Sequence, residues 1–97
     1  MSPAYIIANV NVTNPEQYEQ YRVFSSAAME HSQAEVLVRG GETQALEGQA
    51  PSRTVVLKFS SMAAAREFYD SELYKKSRKA REGAADMTMY IVEGMAS

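Results

Sequence analysis

The chain has 97 residues, 45% of them hydrophobic and 23% charged, proportions that fit one globular domain over residues 1–97 and not a disordered segment. The absence of cysteine excludes disulfide scaffolds, thiolate metal sites and cysteine nucleophiles, and the single histidine, His31, excludes a multi-histidine metal centre. A net charge of −2 argues against a general nucleic-acid binder.

No apolar run approaches the roughly 20 residues that cross a bilayer, and Met1-Ser2-Pro3-Ala4-Tyr5 lacks the basic and apolar regions of a signal peptide. A cytoplasmic protein without a membrane partner is therefore expected. Charge is uneven: residues 1–48 carry −4 and residues 49–97 carry +2. Much of the positive charge crowds into Lys75, Lys76, Arg78, Lys79 and Arg81.

Ala4 to Val12 alternates as a strand, with Ile6, Ala8, Val10 and Val12 on one side and Tyr5, Ile7, Asn9 and Asn11 on the other. Asn14-Pro15-Glu16-Gln17 reads as a helix start: Asn14 caps, Pro15 suits the first turn and Gln17 can close a capping box. Tyr18, Tyr21, Ser25 and Ala28 follow at helical spacing with Phe24 beside them, which predicts a core-facing stripe. The helix should end between Glu30 and Ser32.

Ala34 to Arg39 reads as a second strand running into Gly40-Gly41, a pair that favours a tight hairpin. Glu42 to Gly48 is expected to return as a short partner strand, with Gln49-Ala50-Pro51-Ser52 as the next loop. Arg53 to Phe59, rich in β-branched residues, is a third main strand. Ser60 and Ser61 offer caps for a helix through Met62, Ala65, Phe68 and Tyr69. Asp70-Ser71 breaks it, and a further helical segment is predicted over Glu72 to Ala84. Asp86 to Glu93 closes the chain as a strand, with Met87, Met89 and Ile91 opposing Thr88, Tyr90 and Val92.

The order βαββαβ predicts an α+β, ferredoxin-like antiparallel sheet with the helices on one face. Its opposite face mixes tyrosine, isoleucine, valine and methionine with polar groups, where a solvated face would be plainly polar. A second copy of the sheet would cover it, so a homodimer is expected.

In this order the segments resemble a family of small bacterial proteins grouped as domain of unknown function 1330. The similar stretches are Asn14 to Tyr18 with Tyr21, Val36 to Gly41, Leu46-Glu47-Gly48, Val56 to Ser61, Phe68 to Tyr74, Arg81 and Val92-Glu93-Gly94. Lys58 and Phe68 stand where that family favours Glu and Trp. The resemblance implies pairing as a dimeric α+β barrel. Similar dimers in that superfamily include cofactor-free monooxygenases and isomerases.

Candidate functional residues are few. Arg39, beside the double glycine, and Arg81, about 70° from the stripe of Leu73, Ser77, Ala80 and Ala84, can each present a two-pronged donor to a carboxylate. Arg81 can equally be fixed by Glu47 or Glu93, while Lys75, Lys76 and Lys79 fall on the solvated face. Tyr21 and Tyr74, among tyrosines at 18, 69 and 90, could flank a bound acid or simply fill the core. His31 is the one candidate for proton transfer, and its place at a helix end also suits capping. No metal site, cofactor or nucleotide-binding glycine fingerprint is expected. The expected function is binding or conversion of a small organic acid in a cleft between helices and sheet. The alternative is a non-catalytic dimerisation or stress-related binding module.

Overall fold

Strand β1 (Ala4–Val12) runs through the middle of the molecule, because its alternate small and branched residues let helices pack closely on one side. The structure is a computed structural model that describes residues 2–32 and 34–96. In chain order α1 (Pro15–His31), β2 (Glu35–Arg39), β3 (Arg53–Phe59), α2 (Met62–Asp70), α3 (Glu72–Ala80) and β4 (Ala85–Glu93) follow. The strands form one antiparallel sheet in the order β2-β3-β1-β4. This is the expected ferredoxin-like α+β architecture, its second helical arm divided at Ser71.

Local chemistry explains the helix starts. Asn14 Oδ1 accepts from the Gln17 N–H at 3.2 Å, Ser61 Oγ from Ala64 at 3.0 Å and Ser71 Oγ from Tyr74 at 3.2 Å. The capping box at Asn14 is only half formed. Its own N–H bonds the Ala84 carbonyl at 2.9 Å, and the Gln17 side chain reaches across to the carbonyls of Ala80 and Glu82. Gln17 thereby ties the start of α1 to the end of α3.

The core lies between the helices and one sheet face. Ile6, Val10 and Leu57 are essentially buried beneath Tyr21, Phe68 and Tyr74, and Met87, Met89 and Ile91 complete the layer from β4. Tyr18, Tyr21, Ser25 and Ala28 form the buried stripe of α1 as expected, but Phe24 is exposed. Helix α1 packs chiefly on α3, and α2 spans β1, β3 and β4.

Two further expectations fail. Glu42 to Gly48 forms no strand: residues 40–52 are one exposed connection, and β3 itself pairs with β2. The segment is mostly polar, its only β-branched residue is Thr43, and its one large apolar side chain, Leu46, is left exposed. Gly40-Gly41 is thus the start of a long loop, and the register of β2 on β3 shifts by one residue between Val36 and Val38. The second correction shortens the helix predicted to reach Ala84, which stops at Ala80. Arg81 is its C-cap, and Gly83 at φ 77° turns the chain toward β4.

The other sheet face carries no helix, and the molecule is a slab with extents of 39 × 37 × 16 Å. No helix among the described residues is long and apolar enough to cross a membrane.

Candidate functional site

Tyr21 from α1 and Tyr74 from α3 meet beneath the helix layer, their hydroxyl oxygens 2.8 Å apart. Tyr74 also donates to the Met89 sulfur at 3.5 Å. Its single proton is then committed, so Tyr21 is the donor to Tyr74 and the chain runs Tyr21 to Tyr74 to Met89. Tyr18 stacks at 5.0 Å from Tyr21, while Tyr69 and Phe68 pack on Tyr74 at 5.7 and 4.9 Å.

Arg81 reaches this cluster from the C-cap of α3, with its guanidinium carbon 5.6 Å from the centre of the Tyr21 ring. Its Nε is buried without a hydrogen-bond partner among the described residues. Among the described residues it forms no ion pair, so the pairing with Glu47 or Glu93 is not made. Glu47 lies in the exposed 40–52 loop and Glu93 at the exposed end of β4.

Burial pushes the Tyr21 phenol above its ordinary 10.0, and the neighbouring Tyr74 adds to the rise while Arg81 opposes it. Burial also raises Tyr74, against the hydrogen bond from Tyr21 and the Arg81 charge. Tyr18 is raised for the same first reason. All three phenols stay protonated near neutral pH. They can orient a ligand, but they are poor bases.

A narrow cleft opens from these tyrosines between α1 and the β1–β3 part of the sheet. Arg22, Arg39 and Arg53 line it, and no carboxylate among the described residues does. Arg53 arrives because it alternates in phase with Val55, Leu57 and Phe59 on the helix-facing side of β3. Its guanidinium lies over Gly40, where any side chain would collide with it. Arg39 donates to Ser26 Oγ, and Arg22 pairs with Glu19 at 3.0 Å. The Nε atoms of Arg22 and Arg53 are buried without partners among the described residues. Free space inside is only about 20 Å³, room for about one water.

The candidates therefore separate. Tyr21, Tyr74 and Arg81 form one cluster, and Arg39 stands at the mouth of the cleft that the two tyrosines line. His31 lies apart, exposed at the end of α1, on a different groove with Glu67. Tyr90 is on the opposite sheet face, across from Ile7. Arg22 and Arg53 are not among the candidates that the sequence singles out. The strand phase of Arg53 is a usable signal. Arg22 adjoins Tyr21 and lies one turn after Tyr18, a weaker one. No group of three or more histidine, aspartate or glutamate side chains that could hold a metal ion occurs among the described residues.

The sequence profile of the family described as Domain of unknown function (DUF1330) matches residues 3–95. The chain belongs to the DUF1330 family. No functionally curated protein matches this DUF1330 chain. Among solved structures it is similar to a protein of unknown function from Rhodopseudomonas palustris, at 20% identity and a TM-score of 0.73, covering 99% of this chain and 85% of that one. It is also similar to SnoaB, a cofactor-independent oxygenase from Streptomyces nogalater, at 10% identity and a TM-score of 0.68 over 100% of this chain and 97% of that one. A dimeric ferredoxin-like protein of unknown function from Thermobifida fusca shares 14% identity and a TM-score of 0.65, covering 94% and 90%. At these identities the likeness establishes the fold of the DUF1330 chain and transfers no activity.

Proposed function

We propose that this DUF1330 protein is a homodimer that binds or transforms a small organic acid in the cleft between α1 and the sheet. The observation that carries the reading is the convergence of Arg22, Arg39 and Arg53 on a cleft that no carboxylate among the described residues lines. Arg39 and Arg53 would take the acid's carboxylate, since a guanidinium matches it with two parallel donors. Tyr21 and Tyr74 would flank its body, with Arg81 holding the phenol pair from behind. The free space admits little more than a water, so binding requires the Arg22 and Arg39 side chains to swing outward. His31 takes no part in this reading. SnoaB, a cofactor-independent oxygenase, has a similar fold, so the fold itself is compatible with the catalytic half of the proposal.

The dimer rests on surface left uncovered. A compact monomer of this mass exposes about 5,500 Å², whereas this chain exposes 6442 Å². Val38, Tyr90 and Val92 lie exposed on the helix-free face.

Thermal unfolding in the presence of aromatic and aliphatic acids tests the reading, with the matching alcohols as controls. A bound acid at a hundredfold excess over its Kd adds about 2.7 kcal/mol, enough for a Tm rise of several degrees. Acids should stabilise the protein, alcohols should not, and Arg53→Gln should abolish the difference. The narrowness of the cleft favours a second reading, a dimerisation module without catalysis. That reading stands if no acid raises Tm while the protein remains a dimer.

A further inference from the structure

A second opening lies where the C-terminal ends of α1 and α2 approach the end of β3. Its free volume is about 360 Å³, far more than that of the arginine cleft and within the range of about 300–1,000 Å³ that takes small ligands. The floor is apolar: Phe59 and Phe68 are both buried, their ring centres 5.5 Å apart.

The rim is built of acceptors. Ser32 and Ser71, the C-caps of α1 and α2, donate their hydroxyl protons to the Met29 and Phe68 carbonyls at 3.0 and 2.7 Å. With those protons committed, and with each oxygen already accepting a backbone N–H from Ala34 or Tyr74, each hydroxyl has one lone pair left to offer a ligand. Behind Ser32 stands the negative end of the α1 dipole, whereas at Ser71 the end of α2 meets the start of α3, whose positive end offsets it. Glu67 lines the same groove and forms no ion pair with any described residue. No lysine or arginine among the described residues lines it.

We propose that this groove binds an organic ammonium ion carrying an aryl or short alkyl body. The ammonium group lies against Glu67 and the C-terminal end of α1, and the apolar body rests on Phe59 and Phe68. An organic acid is the wrong charge for this place, as an amine is for the arginine cleft, so the two sites have opposite selectivity. His31 and Glu67 are the titratable groups on the rim. A neutral imidazole accepts a further N–H, whereas a protonated one repels a cation.

The test is an amide NMR titration of the full chain at pH 8 with phenethylamine, phenethyl alcohol and 3-phenylpropionate. Phenethylamine should give saturable shifts at Ser32, Ser60 and Ala64, and the other two should not. Glu67→Gln, a near-isosteric change at an exposed position, should weaken binding by up to about fivefold, the scale of one exposed ion pair. Ala64→Met, which fills the groove without altering charge, should abolish it. The proposal is overturned if phenethylamine gives no saturable shift, or if the alcohol binds as tightly as the amine. It is equally overturned if Glu67→Gln binds undiminished, or if the shifts map to Tyr21, Arg39 and Arg53. Results confined to this groove do not bear on acid binding in the arginine cleft, which the thermal experiment decides separately; only shifts at Tyr21, Arg39 and Arg53 would also count against the charge selectivity of that cleft.

Discussion

Tyr21 and Tyr74 come from different helices and share one buried hydrogen bond, their oxygens 2.8 Å apart and the proton donated by Tyr21. The direction matters, because the two hydroxyls are not equally replaceable. Tyr21→Phe leaves Tyr74 with Met89 as its acceptor, whereas Tyr74→Phe strips the acceptor from Tyr21. Each should destabilise the fold by about 1–2 kcal/mol, with Tyr74→Phe the more costly. The double variant should cost less than the sum, because both singles break one bond. Urea unfolding of the three variants measures this, and strict additivity would contradict the shared bond.

The same pair sets a limit on alkaline stability. Both phenols are raised above the ordinary 10.0, so the folded state holds these protons where the unfolded chain releases them. Their contribution is complete below pH 10 and is lost as pH rises above it. Tm should therefore fall above pH 10, and part of the tyrosine absorbance change should appear only with unfolding. Tyr21→Phe should flatten that decline. A complete phenolate signal from the folded protein at pH 11 would refute it.

Gly40 is required by its backbone, while the Arg53 guanidinium that lies over it is the movable end of a flexible side chain. Its φ of 70° is left-handed, and its missing side chain is the space that the Arg53 guanidinium occupies. Gly40→Ala should cost about 1–2 kcal/mol, in line with strain at such positions, and should displace Arg53 from the cleft. Gly41→Ala meets nothing within 4 Å and has no positive φ, so it should be close to neutral. Chemical denaturation compares the two, and equal costs would remove the special role of Gly40.

Much of the fold is legible in residue patterns. Strict alternation over Ala4–Val12, serine and asparagine caps, and the Tyr18 to Ala28 stripe each admit one simple local solution. The 40–52 segment misleads because two glycines resemble a hairpin turn, and residue pattern alone does not show that β3 takes the edge of β2. The site is legible in part. Arg39, Arg81, Tyr21 and Tyr74 stand out by chemistry, but their grouping depends on α1 leaning on α3. Arg53 shows how a charged residue in a core-facing strand phase can mark a cleft through residue alternation alone.

Arg81 and the lysines of α3 should respond differently to truncation. Arg81 places a half-buried guanidinium beside Tyr21, with Nε cut off from solvent, whereas Lys75 and Lys79 are exposed and Lys75 only touches Glu72 at 3.5 Å. Arg81→Ala should lower stability by about 1–2 kcal/mol through lost packing and cation–π attraction. Lys75→Ala and Lys79→Ala should stay within about 0.5 kcal/mol. Matching losses in all three would place Arg81 on the solvated face.

The helix-free sheet face supplies the test of assembly. One transverse row, Val38, Val56, Ile7 and Tyr90, runs across all four strands in register, and next to it lies the polar row Thr54, Asn9 and Thr88. An apolar row of this length facing water favours a partner of the same kind, because each side chain then buries surface worth about 25 cal/mol per Å². A stable pair should bury about 1,200 Å² or more in total. Analytical ultracentrifugation at micromolar concentration should therefore give twice the monomer mass. Tyr90→Lys, at an exposed position of the row, should shift the equilibrium to monomer while the folded spectrum persists. Ile7→Lys, at its centre, should do so more completely. A wild-type chain that sediments as a monomer would leave this face uncovered and remove the dimer from the proposed function.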